Sequence, residues 1–418
     1  MSSAAQADFR ARLLAGQPLD LQAFRPLMAE RFPELATLAG VAAGCGEGHL
    51  AEDALQHTQQ VLARLQPLLA GLAPEEAQAL YLAGLLHDVG RSPLAGPAQR
   101  RSSHEQAGAA LAREALFRLQ LAGPLRDHVV YLVRQHALPA AFGGREAALP
   151  RMLRLAWTLN TRLLDLLARA DLGDAGTAAA QRHAARIAAF EARCRELGVF
   201  GREPPPLVAP RRWRALAPRD PLLCRRLAGE LRFWRLKGRI ATTQDAEAWL
   251  AEQRPQPAGT LYLPVGVPGS GKSTWVAREA PQARLVSMDE MRERLTGNSL
   301  DQSRNADVFR RCRRELAQAL RAGETVVWDA QSHTWSSRQG LLALARETHA
   351  YVIIVYFDVP LALSLERNRK RAAMVPEAVI VRSYRDLQEP RPFEAEEMWR
   401  VDADGECTRY PADEAAGA

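Results

Sequence analysis

Two short stretches carry groups whose types and spacing can do chemistry. In "LAGLLHDVGRS", Leu82 to Ser92, His87 stands beside Asp88 at the end of an apolar helical run, where a core alone would be served by leucine. In "GVPGSGKST", Gly266 to Thr274, the pattern G-x-x-x-x-G-K-[ST] is complete. Gly266, Gly269 and Gly271 let the amides of the loop, through Ser270 and on to Thr274, point into one concavity. Lys272 then reaches the outer phosphates of a nucleotide and the Ser273 hydroxyl reaches magnesium. The strand-like "TLYLPV" before the loop and the helical pattern after it give the context this motif requires. The expected ligand is ATP or GTP with Mg2+.

More groups gather around the first stretch. In "EDALQHTQQVLARLQPLL", His57 falls on the stripe of Ala54, Val61, Leu65 and Leu68 and so faces inward. "NTRLLDLLARADLGD" places Asp171 on the face of Leu164 and Leu167, and a carboxylate in such a setting needs a partner. Two imidazoles and two carboxylates suit a divalent transition metal such as Mn, Co, Ni, Cu or Zn. His136 extends the stripe Val129, Leu132, Val133, and His104 opens "HEQAGAALAREAL"; His128 differs from His136 in helical phase and is set aside. The ordered set His57, His87-Asp88, His104, His136, Asp171 resembles the HD-domain metal phosphohydrolases over roughly residues 30 to 175. The resemblance implies a helical bundle with one or two ions that activate water against phosphorus, His104 and His136 holding the second.

Beyond the phosphate loop, "LVSMDEMRERL" sets Asp289 at the carboxyl edge of a parallel sheet, where ligands bind. There it could take the proton of an attacking hydroxyl, or merely cap a helix. Arg292, one turn on, could hold an anion. Arg367, Arg369, Lys370 and Arg371 sit on a segment broken at Val375-Pro376, the character of a lid. Gly266 to Thr274, Ser287 to Arg292 and Arg367 to Pro376 together resemble the phage-type 5′-OH polynucleotide kinases, over about Pro257 to Pro390. That resemblance implies Asp289 as general base and Arg292 as the holder of the phosphate next to the acceptor nucleoside. It also implies that Arg371, supported by Arg367, stabilises the transferring phosphoryl group. Asp329, in "VVWDAQSH", is assigned to magnesium or to loop structure.

The elements that must position these groups follow from patterning. At 418 residues the chain is too long for one ordinary core. Residues 1–200 read as helical throughout, 201–256 as an Arg/Pro-rich connector with short helices, and 257–418 as strands alternating with helices. The fold class is therefore multidomain, all-α and then α/β with a parallel sheet; the resemblances imply that these are an HD-domain bundle and a P-loop kinase domain. Five scattered cysteines without a C-x-x-C pair, and no basic-then-apolar leader, suit a cytoplasmic protein with no membrane segment. Residues Gly201 to Ala258 hold 12 Arg plus Lys against 6 Asp plus Glu, close to the whole chain's +7. With Trp213, Phe233 and Trp234 interleaved, that segment is either a nucleic-acid surface or a basic helix packed by its aromatics. Charge reversal at Arg211, Arg212 and Arg214 distinguishes the two.

An HD phosphoesterase ahead of a polynucleotide kinase resembles the bacterial fusions that heal broken strands. The resemblance implies removal of a 3′-phosphate or 2′,3′-cyclic phosphate by one domain and ATP-dependent phosphorylation of 5′-OH by the other. Its implied partners are RNA and/or DNA ends, an NTP, and a nucleic-acid ligase that joins the product. Two alternatives stand beside it: an HD nucleotidase fused to a small-metabolite kinase, and an HD nucleotide sensor regulating an ATP switch.

Overall fold

The computed structural model describes residues 3–43, 53–95, 103–172, 176–209, 211–213, 221–253, 259–299, 301–371 and 374–411. The chain forms two compact units, 1–205 and 206–418.

Helices α1 (Ala54–Leu69), α2 (Pro74–Leu86), α3 (His104–Arg118), α4 (Gly123–Gln135) and α5 (Thr161–Leu172) carry the first site. α2 is central: every residue from Ala79 to Leu86 is buried, which is why its sequence is apolar on all sides. Gly84 makes the contact with α1 possible, since a Cβ there would lie 2.5 Å from Leu65 Cδ1. Along α1, Ala54, His57, Val61 and Leu65 are buried as the stripe predicts. Leu68 is not: it is 39% exposed, and Leu69 turns inward in its place.

The second unit is built on a six-stranded sheet of order β2-β3-β1-β4-β5-β6. Its strands are β1 (Thr260–Val265), β2 (Arg284–Ser287), β3 (Thr325–Asp329), β4 (Tyr351–Phe357), β5 (Glu397–Val401) and β6 (Cys407–Pro411). The first five are parallel and β6 returns antiparallel to β5. The crossovers supply α7 (Lys272–Glu279), α8 (Met288–Thr296), α9 (Asn305–Arg321), α10 (Trp335–Glu347), α11 (Leu361–Arg369) and α12 (Glu377–Asp386). β4 is buried at every position, as expected for a strand covered on both faces.

The structure adds two features to the sequence reading. The sheet carries β5 and an antiparallel β6 that the strand pattern does not announce. The stretch read as a connector contains α6 (Pro221–Leu236), whose Phe233 packs in one core cluster with Leu261, Val326 and Ile354 of the sheet. Trp213 is buried against Cys224, Leu227 and Leu231, and Arg226, Arg232 and Arg235 are buried as well. Trp213 and Phe233 are thus packed, while Trp234 is half-buried with the Arg239 guanidinium 4.4 Å from its ring centre. Arg211 and Arg212 are exposed, with Arg212 3.7 Å from Glu247; Arg214 lies outside the described residues. No described helix is long and apolar enough to cross a membrane. Cys194, Cys224 and Cys312 are buried free thiols and Cys407 is exposed; Cys45 lies outside the described residues.

Candidate functional site

In the first unit, helix ends aim the side chains. His87 closes α2 and His136 closes α4. In each, Nδ1 donates to the carbonyl three residues back: Gly84 O at 2.7 Å and Val133 O at 2.8 Å. That bond fixes the tautomer and leaves Nε2 free to act as a ligand. After His87 the chain turns through Asp88 into a tight helical turn, Val89–Arg91, laid across α3. Gly90 permits the crossing, because a Cβ would meet His104 O at 1.9 Å and Gly108 N at 2.6 Å. His104 is thereby brought opposite Asp88.

The six expected ligands converge. Asp171 Oδ1 lies 2.8 Å from His57 Nε2 and 3.4 Å from His87 Nε2. Asp88 Oδ2 lies 3.6 Å from His87 Nε2, and Asp88 Oδ1 lies 3.5 Å from His104 Nε2. Two triads result, His57-His87-Asp88 and Asp88-His104-His136, each with its donor atoms within 4.8 Å of one another. Asp88 belongs to both. His57, His87, Asp88 and His136 are buried, while Asp171 is 28% exposed and marks the open side. His128 instead accepts from the Asn160 amide, 3.1 Å away.

The electrostatics call for a cation. Burial alone would lower the His87 pKa, but the charges of Asp88 and Asp171 with the Gly84 carbonyl outweigh it and raise it to about 9. Burial likewise opposes ionisation of Asp171, yet hydrogen bonds from His57 and His87 hold its carboxyl well below the usual range. His87 Nε2 is fully buried and faces only carboxylate oxygens, Asp171 Oδ1 at 3.4 Å and Asp88 Oδ2 at 3.6 Å, a setting that favours a cation between them. Imidazole nitrogens and carboxylate oxygens left in this condition fit a divalent transition metal.

Sequence reasoning missed two neighbours. Arg91 Nε lies 2.7 Å from Asp88 Oδ1, and its Nη2 lies 3.4 Å from His104 Nε2; its spacing of three from Asp88 was the available signal. Glu105 Oε2 lies 3.6 Å from His104 Nδ1. His104 opens its helix and has no intrahelical carbonyl behind it, so a side chain takes that part.

In the second unit, β1 runs into the phosphate loop. Gly269 and Gly271 have φ of +83° and +104°, the left-handed region that glycine enters without strain. A Cβ on Gly269 would also lie 2.2 Å from Ser364 O, and one on Gly266 2.6 Å from Ser270 Oγ. The loop therefore rests directly on α11 and needs its glycines. Lys272 Nζ donates to Gly266 O at 2.9 Å and to Val267 O at 2.8 Å, folded back over its own loop. Burial brings its pKa down to about 8, Asp329 opposing and Arg371 reinforcing the shift. Ser273 and Thr274 are exposed at the start of α7. Asp329 ends β3 in register with Ser287 of β2.

Ser287 caps α8, its hydroxyl accepting from Glu290 N at 3.4 Å. Asp289 is thus free of the capping part and stands 78% exposed, 2.5 Å from Arg292 Nη1. Arg292 is only 10% exposed and is aimed by Asn305 Oδ1 at 3.2 Å and Ser299 O at 2.8 Å. In the lid, the Asn368 amide clips the backbone of Val375 in both directions, at 2.8 and 3.0 Å. Arg367 spans Ser270 O at 3.4 Å and Ala403 O at 2.6 Å, tying lid to phosphate loop. Arg371 is exposed. Arg369 and Lys370 pair outward with Glu377 and Glu366.

Comparison with known proteins agrees with this two-part construction. Residues 54–170 match the HD domain family, and residues 261–390 match the family described as an AAA domain. The chain joins an HD domain to a P-loop kinase-like domain. No curated protein matches it. Among solved structures it is similar to a gluconokinase from Sinorhizobium meliloti 1021, at 20% identity over 39% of this chain and 93% of that one, with a TM-score of 0.26. A similarity of that size carries no argument about substrate.

Proposed function

We propose that the chain heals nucleic-acid ends: the kinase domain phosphorylates 5′-OH termini with ATP, and the HD domain removes 3′-phosphate or 2′,3′-cyclic phosphate. The observation that carries this reading is the pairing of an exposed Asp289 with a nearly buried Arg292, one turn on and held by Asn305 and Ser299. A neutral hydroxyl acceptor requires only the base. A guanidinium fixed beside it fits an acceptor that bears its own phosphate next to the reacting alcohol.

In transfer, Asp289 takes the proton of the attacking 5′-hydroxyl while Arg292 holds the adjacent phosphate and so fixes the line of attack. Lys272 leaves the carbonyls of Gly266 and Val267 for the outer phosphates of ATP, a stronger, charge-assisted partner. Arg371 meets the charge that builds on the moving phosphoryl group, and Ser273 would hold the magnesium ion that accompanies the nucleotide. In the HD domain, His57, His87, Asp88 and Asp171 would hold one ion, and Asp88, His104 and His136 a second. Such ions supply a nucleophile at neutral pH and neutralise charge at phosphorus.

The acceptor reading is tested by comparing a nucleoside 3′-phosphate with the bare nucleoside. Wild-type enzyme is expected to prefer the phosphorylated acceptor by 100-fold or more, from the roughly 3 kcal/mol of a charge-assisted contact. Arg292→Ala should erase most of that preference. Equal use of both acceptors by the wild type, or of a sugar acid in preference to either, would remove the nucleic-acid assignment.

A further inference from the structure

Helix α9 begins at the candidate acceptor site, where Asn305 Oδ1 accepts from Arg292 Nε. One face of α9 is core, with Val308, Cys312, Leu316 and Leu320 buried. The opposite face exposes Arg311, Arg314, Gln318 and Arg321, a spacing of three, four and three that forms one stripe along the helix. Acidic residues nearby are already engaged. Asp307 takes Arg304 at 3.4 Å and also Arg310, and Glu315 takes Arg284 at 2.9 Å. Among the described residues, Arg311, Arg314 and Arg321 have neither an ion pair nor a hydrogen-bond partner. Arg311 and Arg314, three apart, repel one another, and Arg321 continues the stripe one turn beyond the neutral Gln318, so an anion laid along it would relieve that repulsion.

We propose that this stripe is the track for the phosphodiester backbone of the strand whose 5′ end enters the kinase site. This rests on the polynucleotide reading above and deepens it. The geometry favours an extended polyanion over a compact acidic metabolite. From its contact with Arg292 at Asn305 to Arg321, α9 runs about 25 Å at 1.5 Å per residue, far beyond the reach of a mononucleotide. The acceptor end would lie at Asp289 and Arg292; since Asn305 shares the face of Val308 and Cys312, the strand would turn over the N-terminal end of α9 onto the outer face, with successive phosphates then passing along Arg311, Arg314 and Arg321.

The test uses the full chain with Arg311→Gln, Arg314→Gln and Arg321→Gln combined. All three side chains are exposed, so the melting temperature should be unchanged. Two acceptors are compared, a 5′-OH single-stranded 12-mer and a nucleoside 3′-phosphate. At about 0.7 counterion released per phosphate, loss of three contacts should raise the 12-mer KM roughly 10- to 50-fold at ~0.15 M salt. The log–log salt slope should become shallower by about 2. KM for the nucleoside 3′-phosphate and for ATP should stay as in the wild type. If the wild type uses the 12-mer with a KM that the triple variant shares, the track is wrong while the polynucleotide reading stands. An equal rise for both acceptors also overturns it. A wild-type enzyme inert toward both acceptors overturns the polynucleotide reading itself, and the track with it.

Discussion

Asp88 is the one carboxylate common to both triads, so Asp88→Ala should remove metal binding from the HD unit as a whole. The magnitude follows from linkage: a ligand at 100 times its Kd stabilises the folded state by about 2.7 kcal/mol. For a unit of 205 residues, each kcal/mol moves the midpoint by roughly 2–4 °C, giving about 5–11 °C for the wild type on addition of manganese. Calorimetry is the suitable assay. Seven of the eight tryptophans lie in the second unit, leaving Trp157 as the HD unit's sole reporter for fluorescence. With magnesium already in excess, manganese should raise only the HD transition, and in Asp88→Ala it should raise neither. Without metal the variant leaves Arg91 and His87 short of a counter-charge, so its own midpoint should fall below that of the metal-free wild type. A manganese shift of equal size in Asp88→Ala would refute the shared-ligand account. So would a shift confined to the kinase transition.

Three further outcomes are expected. Lys272→Ala and Asp289→Ala should each abolish transfer of the γ-phosphate to a 5′-OH oligonucleotide and leave 3′-phosphate release within twofold of wild type, measured on the same preparations. Glu394→Gln breaks the fully buried bidentate pair with Arg338, at 2.7 and 3.0 Å, and should cost the second unit about 3–5 kcal/mol by denaturant unfolding; the HD transition should not move. Glu105→Ala should weaken the second of two manganese-binding events some 10- to 100-fold in a calorimetric titration, with Glu105→Gln restoring part of the loss.

Much of both sites is legible in the sequence because local geometry produces them. His87 and His136 are aimed by carbonyls three residues back, and the phosphate loop is shaped by glycines within a single turn, so type and spacing suffice. What the sequence conceals depends on distant partners. "EAEEMWRV" reads as polar, yet Glu394, Glu396 and Arg400 are buried. Arg338, Arg346 and Asp358 neutralise them from other elements, so β5 carries no alternating apolar signal. The same holds for α6, where Arg226, Arg232 and Arg235 suggest a surface but are buried; Arg226, for one, donates to His349 O at 3.0 Å. Gly229 belongs to that arrangement, since a Cβ there would lie 2.1 Å from Glu396 Oε1. Buried charge on one element can be read only once its counter-charge is placed, and periodicity is silent on that.

The most direct test gives the full chain one oligonucleotide bearing both a 5′-hydroxyl and a 3′-phosphate, with ATP, and follows the mass of each end. With magnesium alone the account predicts a gain of phosphate at the 5′ end and retention at the 3′ end. Adding manganese, cobalt, nickel or copper should then remove the 3′-phosphate, through imidazole ligands that favour such ions over magnesium. Both ends left unchanged under every metal, or both reactions driven equally by magnesium alone, would contradict it.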